Sequence, residues 1–158
     1  GTDLTQFRVM PFSTDVPVVL LAARLLVDKG IREFVQSAQI LRQRGLSAQD
    51  ARFVIVGKPD PGNPASLRPD ELAQWAEEGV VEVWGHRTDM PQVMKAAHLV
   101  VLPSYYGEGL PKVLIEAEML SLHKVKLVAI LLTLKLFKSP QTKQSKIIFD
   151  RILAIQNS

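Results

Sequence analysis

The sequence lacks cysteine, has only three histidines and contains no long hydrophobic run. Without cysteine there is no disulfide framework, no thiolate nucleophile and no cysteine-ligated zinc site, which favours a cytoplasmic location. The histidines are scattered, so metal-ligand spacing is absent and we expect no metal or other cofactor. Even one of the longest apolar runs, Leu127 to Leu132, is far shorter than the ~20 residues of a spanning helix, so we predict no transmembrane segment.

Charge is divided unevenly along the chain. Residues 1–120 hold four Lys and eight Arg against seven Asp and eight Glu, a net charge of −3. Residues 121–158 hold six Lys and one Arg against one Asp, a net charge of +6, and contain no glycine. Because this tail has few aromatic residues and no recognition motif, we predict a solvated end and no nucleic-acid partner.

Short apolar segments alternate with amphipathic ones, which is typical of parallel strands joined by helices. The predicted strands are Val18–Ala22, Arg52–Val56, Val80–Trp84 and Leu99–Leu102. The predicted helices are Gly30–Arg44, Asp70–Glu78 and Met90–Ala97, with Gly45 after the first and Asp70 and Asp89 as caps of the others. The sequence therefore predicts an α/β fold, a Rossmann-like three-layer sandwich with a mostly parallel sheet.

The segment after the last predicted strand carries the strongest chemical signal. Gly107 and Gly109 allow the backbone to approach a ligand closely, and Pro111 begins a helix whose free N–H groups, with that of Leu110, attract an anion. This pattern predicts a phosphate cradle; the alternative is an ordinary strand-to-helix turn. The proline-rich loop at 58–69 also follows a strand, at the edge where open α/β sheets bind ligands.

Two glutamates flank this turn at a spacing that suits a nucleotide. Glu116, one helical turn after Lys112, faces the end that would hold phosphate and could accept hydrogen bonds from a ribose diol. Glu108 lies in the loop itself, where it could meet sugar hydroxyls. The alternatives are a surface pair of Glu116 with Lys112 and a solvated Glu108.

Several ordered motifs resemble those of the family-four retaining glycosyltransferases, or glycosyltransferase group 1. They cover about residues 1–118 and read GTDLTQF, LLAARLLVDKGI, FVIVGKPD, VWGHRTDMPQVMKAAHLVVLPS and GEGLPKVLIEAEML. The resemblance implies that this chain is the donor-binding half of a GT-B architecture. The implied activity is transfer of a sugar, with retention, from a nucleotide-diphosphate-sugar to a glycan or lipid-linked acceptor.

The resemblance also implies roles for individual residues. Arg24, Lys29 and Glu108 would be catalytic: the two cations would hold the donor diphosphate and the glutamate would orient the donor sugar. The implied donor-binding residues are Glu116, Gly109, Leu110, Pro111, Gly57, His86 and Arg87. Two cations and a helix N-terminus can stabilise a departing diphosphate without a metal ion. For Arg24 the alternative is a surface salt bridge with Asp28.

The resemblance ends near residue 118, which suggests truncation. We expect residues 1–16 to be a remnant of an interdomain linker, residues 17–120 an incomplete Rossmann-like domain, and residues 121–158 an atypical tail. Without its N-terminal acceptor domain the chain should transfer sugar poorly or not at all. The full enzyme could associate peripherally with a membrane, and an exposed sheet edge would allow two chains to pair.

Two other functions compete with the transferase hypothesis. A non-catalytic nucleotide-binding or interaction module would keep the pocket without the reaction. A dehydrogenase fits less well, because Lys112 stands where the dinucleotide fingerprint needs a third glycine.

Overall fold

A computed structural model describes residues 16–103 and Asp150. Strands and helices alternate along the described chain. Their order is β1 (Val18–Ala22), α1 (Ile31–Gln43), β2 (Arg52–Val56), α2 (Pro69–Glu77), β3 (Glu82–Gly85), α3 (Met90–Ala96) and β4 (Leu99–Val100). A single 3-10 turn, Val27–Lys29, lies directly before α1.

The four strands form a parallel sheet in the order β3-β2-β1-β4. Paired residues run from Val18 opposite Arg52 to Ala22 opposite Val56, and β4 pairs with the other edge of β1 through Leu99 opposite Val19. Because β4 joins β1 and not β3, the direction of winding reverses at β1. Ligands of open α/β sheets bind outside the carboxyl ends of the strands at such a reversal.

Alternate residues of each strand enter two separate cores, one on each face of the sheet. One core contains α1 and α2 residues together with strand residues that include Val19, Phe53 and Val83. The other core contains Val93 and Met94 of α3 with the remaining strand residues. Helices therefore cover both faces, which explains the nearly unbroken apolar strands and confirms the predicted three-layer α/β fold.

Three strand boundaries differ from the prediction, one of which is the end of β3 at Gly85 and not at Trp84. β3 begins at Glu82 and not at Val80, because the Val80 N–H still bonds to the carbonyl of Trp75 in the turn that ends α2, at 3.3 Å. β4 ends at Val100 and not at Leu102, although the Val101 N–H donates to the carbonyl of Leu20 at 2.8 Å. Apolar character alone did not separate these flanking residues from the strands.

Each predicted helix differs from the observed one by one residue. Gly30 and Arg44 are the caps of α1 and lie outside it, α2 begins and ends one residue earlier than predicted, and α3 ends at Ala96 and not at Ala97. Gly45 follows the C-cap of α1 with a positive φ of 96°, as predicted. Asp70 is not a cap: Arg68 occupies the N-cap and Pro69 the first helical position, so Asp70 lies in the first turn. Asp89 does occupy the N-cap of α3, but its side chain makes no capping hydrogen bond.

His98 joins the amino ends of β4 and β1. Its Nδ1 accepts a hydrogen bond from the Val18 N–H at 3.0 Å, and its own backbone N–H donates to the carbonyl of Val18 at 2.9 Å. Burial lowers the pKa of His98 below its ordinary value of 6.5, against an opposing interaction with the Ala96 backbone. His98 is thus a packing residue, and the fold requires its neutral form.

Stability should therefore fall as the solution is acidified from pH 7 through pH 6.5 and below. The unfolded chain binds a proton at its ordinary pKa, whereas the folded chain resists protonation, so this contribution is fully present above 6.5 and is lost towards the lower folded pKa. Urea unfolding at several pH values measures the effect. In the control His98→Asn, an amide oxygen can accept the same hydrogen bond without titrating; equal pH dependence of both proteins would contradict the prediction.

Candidate functional site

The carboxyl ends of all four strands meet at one edge of the sheet. Ala22 pairs with Val56, and Val56 pairs with Gly85, so the loops after β1, β2 and β3 leave the sheet at the same level. The structure therefore brings the described candidate residues to one edge. These are Arg24 after β1, Gly57 after β2, and His86 and Arg87 after β3, with Lys29 in the turn that follows the β1 loop.

Gly57 is the point where three of these loops make backbone contact. A Cβ atom at this position would lie 2.0 Å from the carbonyl oxygen of Ala23, and its φ of 153° disfavours a side chain as well. Its N–H donates to the carbonyl of Gly85 at 2.9 Å. The glycine therefore allows the strand ends to lie close together, which is a structural reason for its presence.

Arg24 lines an open cleft beyond the ends of β1 and β2. The cleft has a volume of about 580 Å³, within the range typical of ligand pockets, and is lined by Arg24, Lys58, Pro59, Asp60, Pro61 and Pro69. Asp28 pairs instead with Lys29, so the alternative of an Arg24–Asp28 salt bridge is not observed. Among residues 16–103, no acidic side chain forms an ion pair with the exposed Arg24.

Lys29 has a different environment from Arg24. It is 9% exposed, and its Nζ lies 3.7 Å from the Asp28 carboxylate. The next residue, Gly30, has a φ of 69° and presses against the segment that follows β4, where an added Cβ would lie 2.2 Å from the Pro103 carbonyl oxygen. Lys29 is thus fixed beside the β1–β4 reversal, next to the point where the chain leaves β4.

The proline-rich loop at 58–68 is held against the loop after β1. The Leu25 N–H donates to the carbonyl of Lys58 at 3.2 Å, and the Val27 N–H to that of Ala65 at 2.9 Å. The Leu67 N–H donates in return to the carbonyl of Leu25 at 2.8 Å. This loop lacks regular structure, as predicted, yet hydrogen bonds at both ends fix it as one wall of the cleft.

His86 and Arg87 lie on the far side of the edge, after β3. His86 is exposed, whereas Arg87 donates two hydrogen bonds to Asp89, with 2.7 Å between Nε and Oδ1. This pairing raises the pKa of Arg87 and lowers that of Asp89. Two strand spacings separate the ends of β3 and β1, a distance of roughly 10 Å that a nucleoside can span.

The other candidate residues fall outside the described part of the chain. These are Glu108, Gly109, Leu110, Pro111 and Glu116, together with the predicted linker and most of the basic tail. Their roles stay predictions.

Within residues 16–103 and Asp150, no three acidic or histidine side chains come together as a metal site. No helix in this same part of the chain is long and apolar enough to span a bilayer.

The sequence of residues 16–125 matches a family described as "Glycosyl transferases group 1". The chain belongs to this family. A similar protein is the N,N'-diacetylbacillosaminyl-diphospho-undecaprenol alpha-1,3-N-acetylgalactosaminyltransferase of Campylobacter jejuni, 38% identical over 102 residues, which are 65% of this chain and 24% of the relative. The alpha-D-kanosaminyltransferase of Streptomyces kanamyceticus is 33% identical over 99 residues, 60% of this chain and 23% of that enzyme. The chain thus spans about a quarter of each relative's length.

Solved structures share the same fold. Anabaena HepE in complex with UDP is 28% identical, with a TM-score of 0.57 over 73% of this chain and 30% of HepE. WaaG, a glycosyltransferase involved in lipopolysaccharide biosynthesis, is 18% identical, with a TM-score of 0.60 over 90% of this chain and 39% of WaaG. The latter likeness concerns the fold alone. Together with the parallel sheet, it confirms the predicted Rossmann-like half of a GT-B architecture.

Proposed function

We propose that this glycosyltransferase-family chain supplies the donor-binding half of a retaining enzyme. Its donor would be a nucleotide-diphosphate-sugar and its acceptor a glycan or a lipid-linked sugar. The observation that carries the proposal is the placement of Arg24, without an ion pair in the described region, on a cleft at the carboxyl edge of the sheet. The UDP complex of HepE and the lipid-linked substrate in the Campylobacter relative's name support the choice of ligands.

In this proposal the cations stabilise the leaving group. Breaking the sugar–phosphate bond concentrates negative charge on the nucleoside diphosphate, and fixed positive groups lower the energy of that state most when they need no rearrangement. Lys29 meets this condition because it is buried in a hydrogen-bonded turn; Arg24 would close on the phosphates from the cleft. We include in the proposal that this step needs no metal ion.

The nucleobase contact is assigned from position along the edge, whereas the roles of residues 108–116 rest on the family resemblance alone. His86 and Arg87 would contact the nucleobase, since they lie two strands away from Arg24. Glu116 would bind the ribose, Glu108 would orient the donor sugar, and Gly109 to Pro111 would cradle the phosphates. The cytoplasmic location expected from the sequence stays a prediction.

Calorimetric titration of the chain with UDP, GDP and ADP tests the proposal. One nucleotide should bind, and the double variant Arg24→Ala, Lys29→Ala should bind it about a hundredfold more weakly, since two charge-assisted contacts are lost. The matched control Arg44→Ala, Lys95→Ala removes one arginine from the C-cap of α1 and one lysine from α3, both at exposed positions. Absence of binding, or an equal loss in the control, would reject the donor-binding proposal.

A further inference from the structure

Lys58 follows β2 at the position that matches Arg24 after β1. Ala22 and Val56 are register partners. Arg24 follows Ala22 by two residues, and Lys58 follows Val56 by two residues. The backbone contact continues past the strands, with 3.2 Å between the Leu25 nitrogen and the Lys58 carbonyl oxygen. Adjacent strands are about 4.8 Å apart, so the two cations start from neighbouring points on one edge.

Both cations line the same cleft. Across residues 16–103, Lys58 and Arg24 are exposed and form no ion pair with an acidic side chain. Among the described lining residues, Asp60 is the one acidic group, and it pairs with neither cation within 4.0 Å. Two neighbouring like charges repel each other, and an anion bound between them would remove that repulsion.

The loop that carries Lys58 is fixed before any ligand arrives. Besides its contacts with the β1 loop, the Asp60 N–H donates to Ser66 Oγ at 2.8 Å and the Ala65 N–H to Asn63 Oδ1 at 2.9 Å. Prolines 59, 61 and 69 restrict the backbone further along the cleft wall. A group on a preorganised loop loses less entropy on binding than one on a loose loop.

We propose that Lys58 is a third cationic residue of the donor site and that it contacts the donor phosphates together with Arg24. The inference rests on the proposed donor-binding function and extends it to a residue outside the motif pair Arg24 and Lys29. Lys29 approaches from the β1–β4 side and Lys58 from the β2 side, so the diphosphate would lie between them, across the end of β1. Asp60 would limit the affinity for simple anions, because it places a negative charge in the same cleft.

The test compares single variants in calorimetric titrations with UDP, GDP, ADP and inorganic pyrophosphate. Lys58→Ala should weaken the phosphate ligands about tenfold, as expected for one charge-assisted contact, and Lys58→Arg should restore most of the affinity. Asp60→Asn should tighten pyrophosphate binding about twofold to threefold, because it removes a like charge from the cleft. The matched control is Lys95→Ala, which removes an exposed lysine outside the cleft lining.

Each outcome separates this inference from the proposal on which it rests. If Arg24→Ala weakens nucleotide binding while Lys58→Ala binds as tightly as Lys95→Ala, the role of Lys58 is overturned and the donor site is kept. If pyrophosphate binds in a manner that depends on Lys58 and no nucleotide binds, the result would support the cation pair and reject a nucleotide as the ligand. Failure of the wild-type chain to bind either ligand would overturn both.

Discussion

Replacing Gly30 with alanine should lower the free energy of unfolding by about 3 kcal/mol or more, and it should disturb the site as well. Two physical costs combine at this residue. Its φ of 69° disfavours a side chain, and the added Cβ would lie 2.2 Å from the backbone carbonyl oxygen of Pro103. Left-handed backbone costs an alanine about 1–2 kcal/mol, and a clash with backbone atoms adds to this because neither segment can rotate away.

Gly79 supplies a matched control for the first of these costs. Its φ is 70°, but a Cβ there would meet no atom within 4 Å, so Gly79→Ala carries the conformational cost without the clash. We expect a loss of about 1 kcal/mol for this variant in urea unfolding. Equal losses in the two variants would show that the contact between Gly30 and Pro103 does not constrain the fold.

The Gly30 contact also connects stability with ligand binding. It fixes the turn that carries Lys29 against Pro103, in the segment that follows β4 at the reversal of the sheet. Under conditions where both alanine variants remain folded, Gly30→Ala should therefore weaken nucleotide binding and Gly79→Ala should not.

The sequence predicted the two inner strands of the described sheet best. β1 and β2 have the predicted bounds because their apolar runs end at residues that leave the sheet, such as Arg24 and Gly57. The start of β3 was predicted two residues too early, because Val80 is apolar but belongs to the turn after α2. Apolar composition indicates that a residue is buried, but it does not show which buried residues form the hydrogen bonds of the sheet.

The candidate site was predictable only through the ends of the strands. Parallel strands necessarily bring their carboxyl ends together, so Arg24, Gly57 and Arg87 could be assigned to one edge from the sequence. Lys58 and Asp60 were missed, because charged residues in a proline-rich loop look like ordinary solvated residues. Their significance depends on the register of β1 with β2 and on the absence of ion pairs to Lys58 among the described residues, which no local pattern contains.

A second large effect is expected at the other end of β2, where Arg52 and Glu82 join β2 to the edge strand β3. Arg52 Nε and Nη2 donate to the two Glu82 oxygens at 2.7 and 2.8 Å, and Trp84 Nε1 donates to Glu82 at 3.0 Å. Burial alone would raise the pKa of Glu82, but the hydrogen bonds from Arg52 and Trp84 hold it below its ordinary value. The folded chain therefore depends on the ionised carboxylate.

Glu82→Leu should lower the free energy of unfolding by about 3 kcal/mol, because it leaves a largely buried guanidinium and the Trp84 N–H without their acceptor. Arg52→Leu should cost about 2 kcal/mol for the same reason in reverse. The double variant should cost clearly less than the sum, about 2 kcal/mol in all, since replacing a buried ion pair by apolar groups is often close to neutral. Urea unfolding of the four proteins measures this cycle; additive losses would show that the pair is not coupled.

The same pair should control how firmly β3 holds the loop that carries His86 and Arg87. β3 is an edge strand of four residues with β2 as its described neighbour, and Glu82 is its first residue. In Glu82→Leu, amide hydrogen exchange should accelerate across β3 more than across the central strand β1, since edge segments open locally before the core. Uniform acceleration across the sheet would instead show that the substitution lowers global stability. The loop after β3 would then depend on the whole core and not on this ion pair.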